Sequence, residues 1–325
     1  MSGGTRGVLV SGATTPLGVA VVSAMLAAGK GPVIAVGLEA PDAVRGLLPT
    51  QAEYHQVDLL HARQMRQLLF GPVRAAGIQA VVHLAMHRRA SDHGDQVHRL
   101  NVETTRTLLR LAEHHPSVRR FLLCSTSAVY LARHDTPDLV REDWSLDLSP
   151  QAPQWLRDRV EADITVCARM GLAPIHVNVL RLAEILAADM GSQLHDYLSS
   201  RVCLRPLGYD PILNLLSLQD AAAAWVLALD APEQGVVNIP GADTLPLSRA
   251  IRLWGRDDLP LPGPLLGPLY AMRRAVRRTD FQYAINQRRF HFNGVLDGRR
   301  AAALLGYRPQ HPIAWPCPDC RPLPG

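Results

Sequence analysis

Val8-Leu9-Val10-Ser11-Gly12-Ala13-Thr14-Thr15-Pro16-Leu17-Gly18 is the stretch from which the fold is read. The apolar run Val8 to Val10 has β character and ends in a turn of small residues. Leu17 to Ala28 then carries apolar residues at helical spacing and stops at Gly29. Strand, tight glycine turn and helix, in that order, open a βαβ unit of the kind that holds a dinucleotide with its phosphates at the helix N-terminus. The expected class is α/β, with a Rossmann-type doubly wound parallel sheet and a smaller C-terminal domain.

The turn keeps Gly12 and Gly18 but has Thr15 between them. A glycine there lets the backbone approach a pyrophosphate with no Cβ in the way. Thr15 brings a branched Cβ, and Pro16 removes an N–H from the first helical turn. As helix chemistry both residues are sound: Thr15 suits an N-cap and Pro16 the first helical position. Gly12, Thr14, Thr15, Leu17 and Gly18 are the expected loop contacts to a dinucleotide, with binding weakened by the threonine.

A chain of 325 residues, 47% of them hydrophobic, is long enough for one large or two interlocked domains around a substantial core. It has no uninterrupted apolar run of about 18 residues. Its start, Met-Ser-Gly-Gly-Thr-Arg-Gly, has no apolar core of a signal peptide. A cytoplasmic protein is expected. Of five cysteines, Cys124, Cys167 and Cys203 lie in apolar segments and read as buried thiols. Cys317 and Cys320 form a lone Cys-x-x-Cys in a Pro-rich tail, one pair short of a zinc site and outside a βαβ redox context. The net charge is +5, and Lys30 is the only lysine among 34 basic residues. The basic excess is spread along the chain without a nucleic-acid motif, so no nucleic-acid partner is expected.

Pro32 to Val36 reads as the second strand. Gly37 stands where an acidic residue would hold the ribose hydroxyls; Glu39, two residues on, either substitutes from the loop or is an exposed loop glutamate. Tyr54 to Leu59 reads as the third strand, ending in Asp58-Leu59. A helix with Met65, Leu68 and Leu69 leads to a fourth strand, Ala80-Val81-Val82-His83-Leu84-Ala85. In the loop from 87 to 98, His87, His93 and His98 match no zinc spacing, and no metal is expected. Asn101-Val102 opens a helix to about His115, and Phe121 to Tyr130 is a fifth strand with a Ser/Thr-rich end.

These segments resemble, in order, the extended short-chain dehydrogenase/reductases in their NAD-dependent epimerase/dehydratase branch. The turn is similar to that family's Thr-Gly-x-x-Gly-x-x-Gly loop. Ala80 to Met86 is similar to its Val-x-His-Leu-Ala-Ala segment, with Met86 for the last alanine. Ser125 to Tyr130 is similar to its Ser-[Ser/Thr]-x-x-Val-Tyr strand ending, and the family also has an Asn-Val pair like Asn101-Val102. Later, Ala173 to Leu182 resembles the Val-x-x-Leu-Arg-Pro strand, with Leu182 for the proline. Leu213 to Leu229 resembles the His-Val-Asp-Asp-Val-Ala element, and Gly235 to Gly241 the short late strand. The resemblance spans about 7 to 255, and Leu305-Gly306-Tyr307 matches beyond it. It implies NAD or NADP as cofactor, with Asp58 and Leu59 at the adenine, Leu84 and Ala85 under the nicotinamide ribose, and Asn101 in the same site. Thr126 takes the place of the catalytic serine or threonine. No arginine stands beside the glycine loop to favour a 2′-phosphate, so the choice of cofactor stays open.

The family's reaction also needs Tyr-x-x-x-Lys on one helix face, about one turn apart. The phenol exchanges a proton with the substrate hydroxyl while hydride moves to or from nicotinamide, and the lysine lowers the phenol pKa and holds the ribose. In Pro153-Gln154-Trp155-Leu156-Arg157-Asp158-Arg159, Trp155 takes the tyrosine position and Arg159 the lysine position. An indole N–H does not titrate in the useful range. Arg159 keeps the charge with a different geometry. Since no tyrosine stands four residues before Lys30, Tyr-x-x-x-Lys occurs nowhere in the chain. Tyr130, His134 and Asp158 are the candidates for a substitute acid or base.

The expected division is 1–172 for the dinucleotide domain, 173–312 for the remaining core strands and a substrate or lid domain, and 313–325 for a Pro-rich tail. Apolar residues from 264 lead into Met272-Arg273-Arg274-Ala275-Val276-Arg277-Arg278, which suits either an anionic membrane surface or a lid helix. Two functional classes follow. One is a nucleotide-binding sensor, scaffold or regulator without the usual hydride cycle, since the Gly-Ala-Thr start of the loop is also similar to the NmrA-like regulators. The other is an active oxidoreductase or epimerase with a substitute acid. Either takes a small-molecule ligand, free or nucleotide-linked, and a homodimer is common in the family.

Overall fold

A computed structural model of the chain describes residues 7–87, 89, 91–277 and 281–317. Its centre is a parallel sheet of seven strands: β1 (Val8–Ser11), β2 (Val33–Gly37), β3 (Ala52–Gln56), β4 (Ala80–His83), β5 (Arg120–Thr126), β7 (His176–Leu182) and β11 (Gly235–Ile239). The strands lie in the order β11-β7-β5-β4-β1-β2-β3, so the chain reverses direction between β1 and β4. Ligands bind at such a switch point, outside the carboxyl ends of the strands.

The apolar runs explain the layers. A parallel sheet is covered on both faces, so its strands are apolar at successive positions. Val8 and Val10 pack into one core with Val21, Val22 and Trp225, while Leu9 faces the other with Leu69, Leu108 and Phe121. Helix α1 (Pro16–Ala27) covers the first face, and helix α2 (Thr104–Glu113) supplies Leu108 and Leu109 to the second. The helix expected from Asn101 is interrupted: Arg99–Glu103 forms a π-helical turn before α2, and it carries Asn101. Helix α3 (Gln154–Cys167) follows β5, and helix α4 (Leu218–Ala228) packs against α1. Sequence-based strand limits hold to within a few residues. The fourth strand stops at His83 and the fifth at Thr126, because Leu84 onward and Ser127 onward turn into the loops over the sheet.

The other strands are short. β8 (Glu184–Ile185), β10 (Ile212–Leu216) and β12 (Asp243–Pro246) form one sheet; β9 (Val202–Pro206) pairs with β13 (Asp257–Leu261), and β6 (Leu139–Val140) with β14 (Val295–Leu296). β9, β10, β12 and β13 pack on an aromatic core of Tyr197, Tyr270, Phe281, Tyr283 and Phe290 through Leu204, Leu215, Leu245 and Leu261. Helix α5 (Gly263–Arg277) buries Leu266 and Tyr270 there, and Arg273 Nη1 donates to Val202 O at 2.8 Å. Leu265, Met272 and Val276 of the same helix face outward. The stretch considered for a membrane surface ends at Arg278, outside the described residues. No helix among those described is long and apolar enough to cross a membrane.

Toward the end of the chain, Tyr307 donates to Pro240 O at 2.8 Å, and the Ile313 N–H donates to Asp243 at 2.6 Å. Trp315 packs edge-on against Trp254. Cys203 is buried, while Cys124 and Cys167 are only half-buried. Cys320, and with it the Cys-x-x-Cys reading, lies outside the described residues.

Candidate functional site

The glycine turn is built by contacts that its sequence dictates. Gly12 has φ of +70°, and a Cβ on it would lie 2.9 Å from the Ala85 nitrogen. The loop therefore rests on the chain leaving β4. A Cβ on Gly18 would stand 2.1 Å from Gly12 O, so helix and turn meet only because the residue is glycine. Thr15 caps α1 as expected: its Oγ1 accepts from Gly18 N at 3.0 Å and donates to Gly12 O at 2.9 Å.

Glu39 folds back onto this turn. Its Oε2 accepts from Thr14 Oγ1 at 2.7 Å and from Leu38 N at 3.1 Å. Tyr54 donates to Glu39 O at 2.7 Å, and burial followed by the nearby Glu39 charge pushes the Tyr54 phenol up to about 12. Gly37 leaves room for this arrangement, since a Cβ there would meet Glu39, Thr14 and Tyr54 within 3 Å. Asp58 turns inward on its own loop, accepting from Leu60 N at 2.9 Å and facing His61 at 2.9 Å. The carbonyl of Leu59 accepts from Thr104 at 3.1 Å.

Beneath the turn, His83 joins β1 to α2. Its ring is 2.7 Å from Ser11 Oγ and 3.0 Å from Thr105 Oγ1, which itself donates to Asn101 O at 2.7 Å. Full burial lowers its pKa to about 4, so the ring is neutral near pH 7. Asn101 Oδ1 accepts from His87 N at 2.8 Å, and Asn101 Nδ2 is buried with no partner among the described residues.

A cleft of about 850 Å³ opens at the carboxyl ends of the strands. It brings together Thr15, Leu17, Leu84, Thr126, Trp155 and Arg159 of the residues expected from the sequence. Gly12, Thr14, Gly18, Glu39, Asp58, Leu59, Ala85 and Asn101 are not in its lining; they belong to the turn, the ends of β2 to β4, and the π-helical turn. Thr126 Oγ1 accepts from Ala128 N at 3.2 Å. Trp155 and Arg159 lie about one turn apart on α3. Arg159 donates to His87 O at 3.0 Å and lies 3.6 Å from Met86 Sδ. The Trp155 Nε1–H is buried without a hydrogen-bond acceptor among the described residues. Cys124 shares the lining; burial pushes its thiol up to about 11 against the opposing pull of Arg159, so it is protonated near pH 7.

The substitute acids lie elsewhere. Tyr130 donates to Asn238 Oδ1 at 2.7 Å and accepts from Arg181 Nη1 at 3.0 Å. Burial pushes its phenol up to about 12, although Arg181 pulls the other way. Asp158 is buried against His98, 2.9 Å from its Nδ1, and that hydrogen bond raises the His98 pKa. Gln154 holds Gly94 by both its N–H and its carbonyl. His134 is exposed, and neither His134 nor Asp158 lines the cleft. His87 faces Asp92 at 3.1 Å and His93 faces Ser91 O at 2.8 Å, so the loop histidines do not converge.

Behind the cleft, Arg181 makes a two-pronged contact with Asp163 at 2.7 and 3.0 Å, and Ser125 donates to the same carboxylate at 2.5 Å. Burial opposes the Arg181 charge, but its hydrogen bonds and attraction to Asp163 win and raise its pKa.

Sequence reasoning missed one wall of the cleft. Glu184 on β8, with Ser192, Gln193 and Arg289, lines it. Ser192 donates to Glu184 at 2.6 Å, and Arg289 stands 4.0 Å from the same carboxylate. A second cavity of about 890 Å³ shares Ala183, Glu184, Gln193 and Arg289 with the first and continues to Tyr130, Asn214, Asn286 and Phe290. Glu184 stands two residues past Leu182, where β7 ends, a place that marks it as a mouth residue. Arg289, more than 100 residues away, has no local signal.

Comparison with known proteins agrees with this fold. The profile of the NAD dependent epimerase/dehydratase family matches residues 8–155. Uncharacterized proteins of Mycobacterium tuberculosis and Mycobacterium bovis are 33% identical over 244 residues, 73% of this chain and 64% of theirs. The match thus spans less than two thirds of the length of those relatives. Among solved structures, the chain is similar to a UDP-glucuronic acid 4-epimerase from Bacillus cereus in complex with UDP-glucuronic acid and NAD (18% identity, TM-score 0.69, 94% of this chain and 95% of that one). It is also similar to a UDP-glucose 4-epimerase from Thermotoga maritima with UDP-glucose (16%, TM-score 0.70, 94% of each). A third is a dTDP-glucose 4,6-dehydratase from Bacillus anthracis in complex with NAD (16%, TM-score 0.68, 94% and 92%). Over residues 8–155 the chain is thus similar to the NAD dependent epimerase/dehydratase family, and it shares the fold of these solved structures.

Proposed function

We propose that this protein binds a nicotinamide dinucleotide across the β1–α1 turn, holds a small ligand in the adjoining cavities, and does so without tyrosine–lysine proton transfer. Its role is then to sense, scaffold or regulate. The observation that carries the reading is the shared cleft: Trp155 and Arg159 line it together with Thr15, Leu84 and Thr126. Where the reaction needs a titratable phenol, this chain supplies an indole. The Glu39 carboxylate on Thr14 favours NAD, because it meets ribose hydroxyls well and repels a 2′-phosphate. NAD and nucleotide sugars in the similar structures support a nucleotide-linked ligand.

The test is a fluorescence titration with NADH and NADPH. It is followed by near-ultraviolet nicotinamide absorbance of the NAD-loaded protein in the presence of UDP-sugars. NADH should bind more tightly than NADPH, and the nicotinamide should keep its oxidation state. Failure to bind either nucleotide at millimolar concentration contradicts the reading. One observation favours an active enzyme instead: the Glu184 carboxylate lines both cavities. Turnover abolished by Glu184→Gln, with nucleotide binding intact, would establish that alternative.

A further inference from the structure

Helix α5 buries one face and leaves another bare. Leu266 and Tyr270 sit in the aromatic core. At about 100° per residue, Leu265, Met272 and Val276 project away from them and within about 40° of one another. Those three side chains are 51%, 61% and 77% exposed, and Pro268, Ala271 and Ala275 beside them are exposed as well. A single exposed leucine needs no explanation; an apolar stripe along about three turns of one helix does.

Charge decides what covers the stripe. From 259 to 279 the sequence holds four arginines and no Asp or Glu. Arg273 is spent on the protein itself: it donates to Val202 O at 2.8 Å and lies over the Tyr270 ring at 5.3 Å. These contacts hold the helix with its apolar side outward. Arg274 is exposed at the edge of the stripe, and Arg277 and Arg278 follow in the sequence. A second copy of this helix would bring no acid to the arginines. An anionic bilayer brings both halves of the complement, phosphates for the guanidinium groups and an acyl boundary for the apolar side chains. At 15 residues the helix is too short to span a membrane and suits lying along its surface.

We propose that α5 docks this protein on an anionic lipid surface, with Leu265, Met272 and Val276 entering the headgroup boundary and Arg274 pairing with lipid phosphates. The inference is independent of what the cleft binds.

The experiment sediments the full chain with vesicles of phosphatidylcholine alone, or of two parts phosphatidylcholine to one part phosphatidylglycerol. The protein should pellet with the mixed vesicles only. Arg274→Gln should weaken that binding about fivefold, the share of one cation at such a surface. Met272→Glu with Val276→Glu should weaken it at least about twentyfold. Both positions are exposed, so thermal melts of the double variant should match the wild type. Salt gives a test without substitution: at about 1 M, where charges are screened beyond about 3 Å, the wild-type protein should leave the vesicles. No sedimentation with the mixed vesicles, equal sedimentation with the neutral ones, or undiminished binding of the double variant overturns the proposal. So does a dimer in sedimentation velocity that Met272→Glu splits, since a second copy then covers this face.

Discussion

Helix α3 faces two polar environments that obey opposite rules. Toward β5 and β7 it contributes Asp163, which is fully buried and held by Ser125 and by two nitrogens of Arg181; the network runs on through Tyr130 to Asn238. Toward the cleft it contributes Trp155 and Arg159, and there the buried indole N–H of Trp155 has no acceptor among the described residues. A closed network is what a scaffold requires, since any unpaired member costs its full desolvation. One helix thus carries both the closed network that holds the strands and a wall of the cleft.

The sharpest way to break this contrast is to open the closed side. Arg181→Leu leaves the Asp163 carboxylate buried without its cationic partner and should lower stability by about 3–5 kcal/mol in urea denaturation. A loss under about 1 kcal/mol would mean that the network is dispensable. His83 belongs to the same closed class. Its pKa falls from 6.5 to about 4 on burial, so the unfolded chain takes up a proton that the folded chain refuses. Its contribution is whole above pH 6.5 and is lost as pH falls toward 4, amounting to about 3 kcal/mol. Stability measured from pH 7 down to 4.5 should show this slope, and His83→Gln should flatten it. On the open side the expectations are small. Trp155→Phe removes an unpaired donor while keeping most of the ring, so stability should stay level or rise by up to about 1 kcal/mol. Thr15→Gly trades one acceptable N-cap for another and should cost only a few tenths of a kcal/mol. By removing the Cβ from the turn, it should also tighten NADH binding in the same titration.

Much of the scaffold is legible in the sequence, and the reason is local. Apolar runs such as Val8 to Val10 and Ala80 to His83 mark strands buried on both faces, and Thr15-Pro16 marks a helix start. The pairing of Trp155 and Arg159 on one side of α3 follows from their spacing. What the sequence hides is assembled over long distances. Arg289 reaches Glu184 from a late segment of the chain, and Asp163 finds Arg181 only after β7 is laid beside β5. Tyr130 shows the limit well: proximity to Thr126 in sequence makes it a candidate acid, yet the turn after β5 sends its hydroxyl to Asn238. Glu39 shows the converse, since its loop position leaves open a contact with Thr14 that the fold then makes.

The central claim is that this cleft receives a dinucleotide but has no proton relay on α3. Its most direct test loads the protein with NAD, adds UDP-glucose and UDP-glucuronic acid in turn, and follows both nicotinamide absorbance and sugar identity. The account predicts a bound nucleotide whose oxidation state and whose sugar partner stay unchanged. Steady conversion of either sugar, or transient NADH in the wild-type protein, would contradict it.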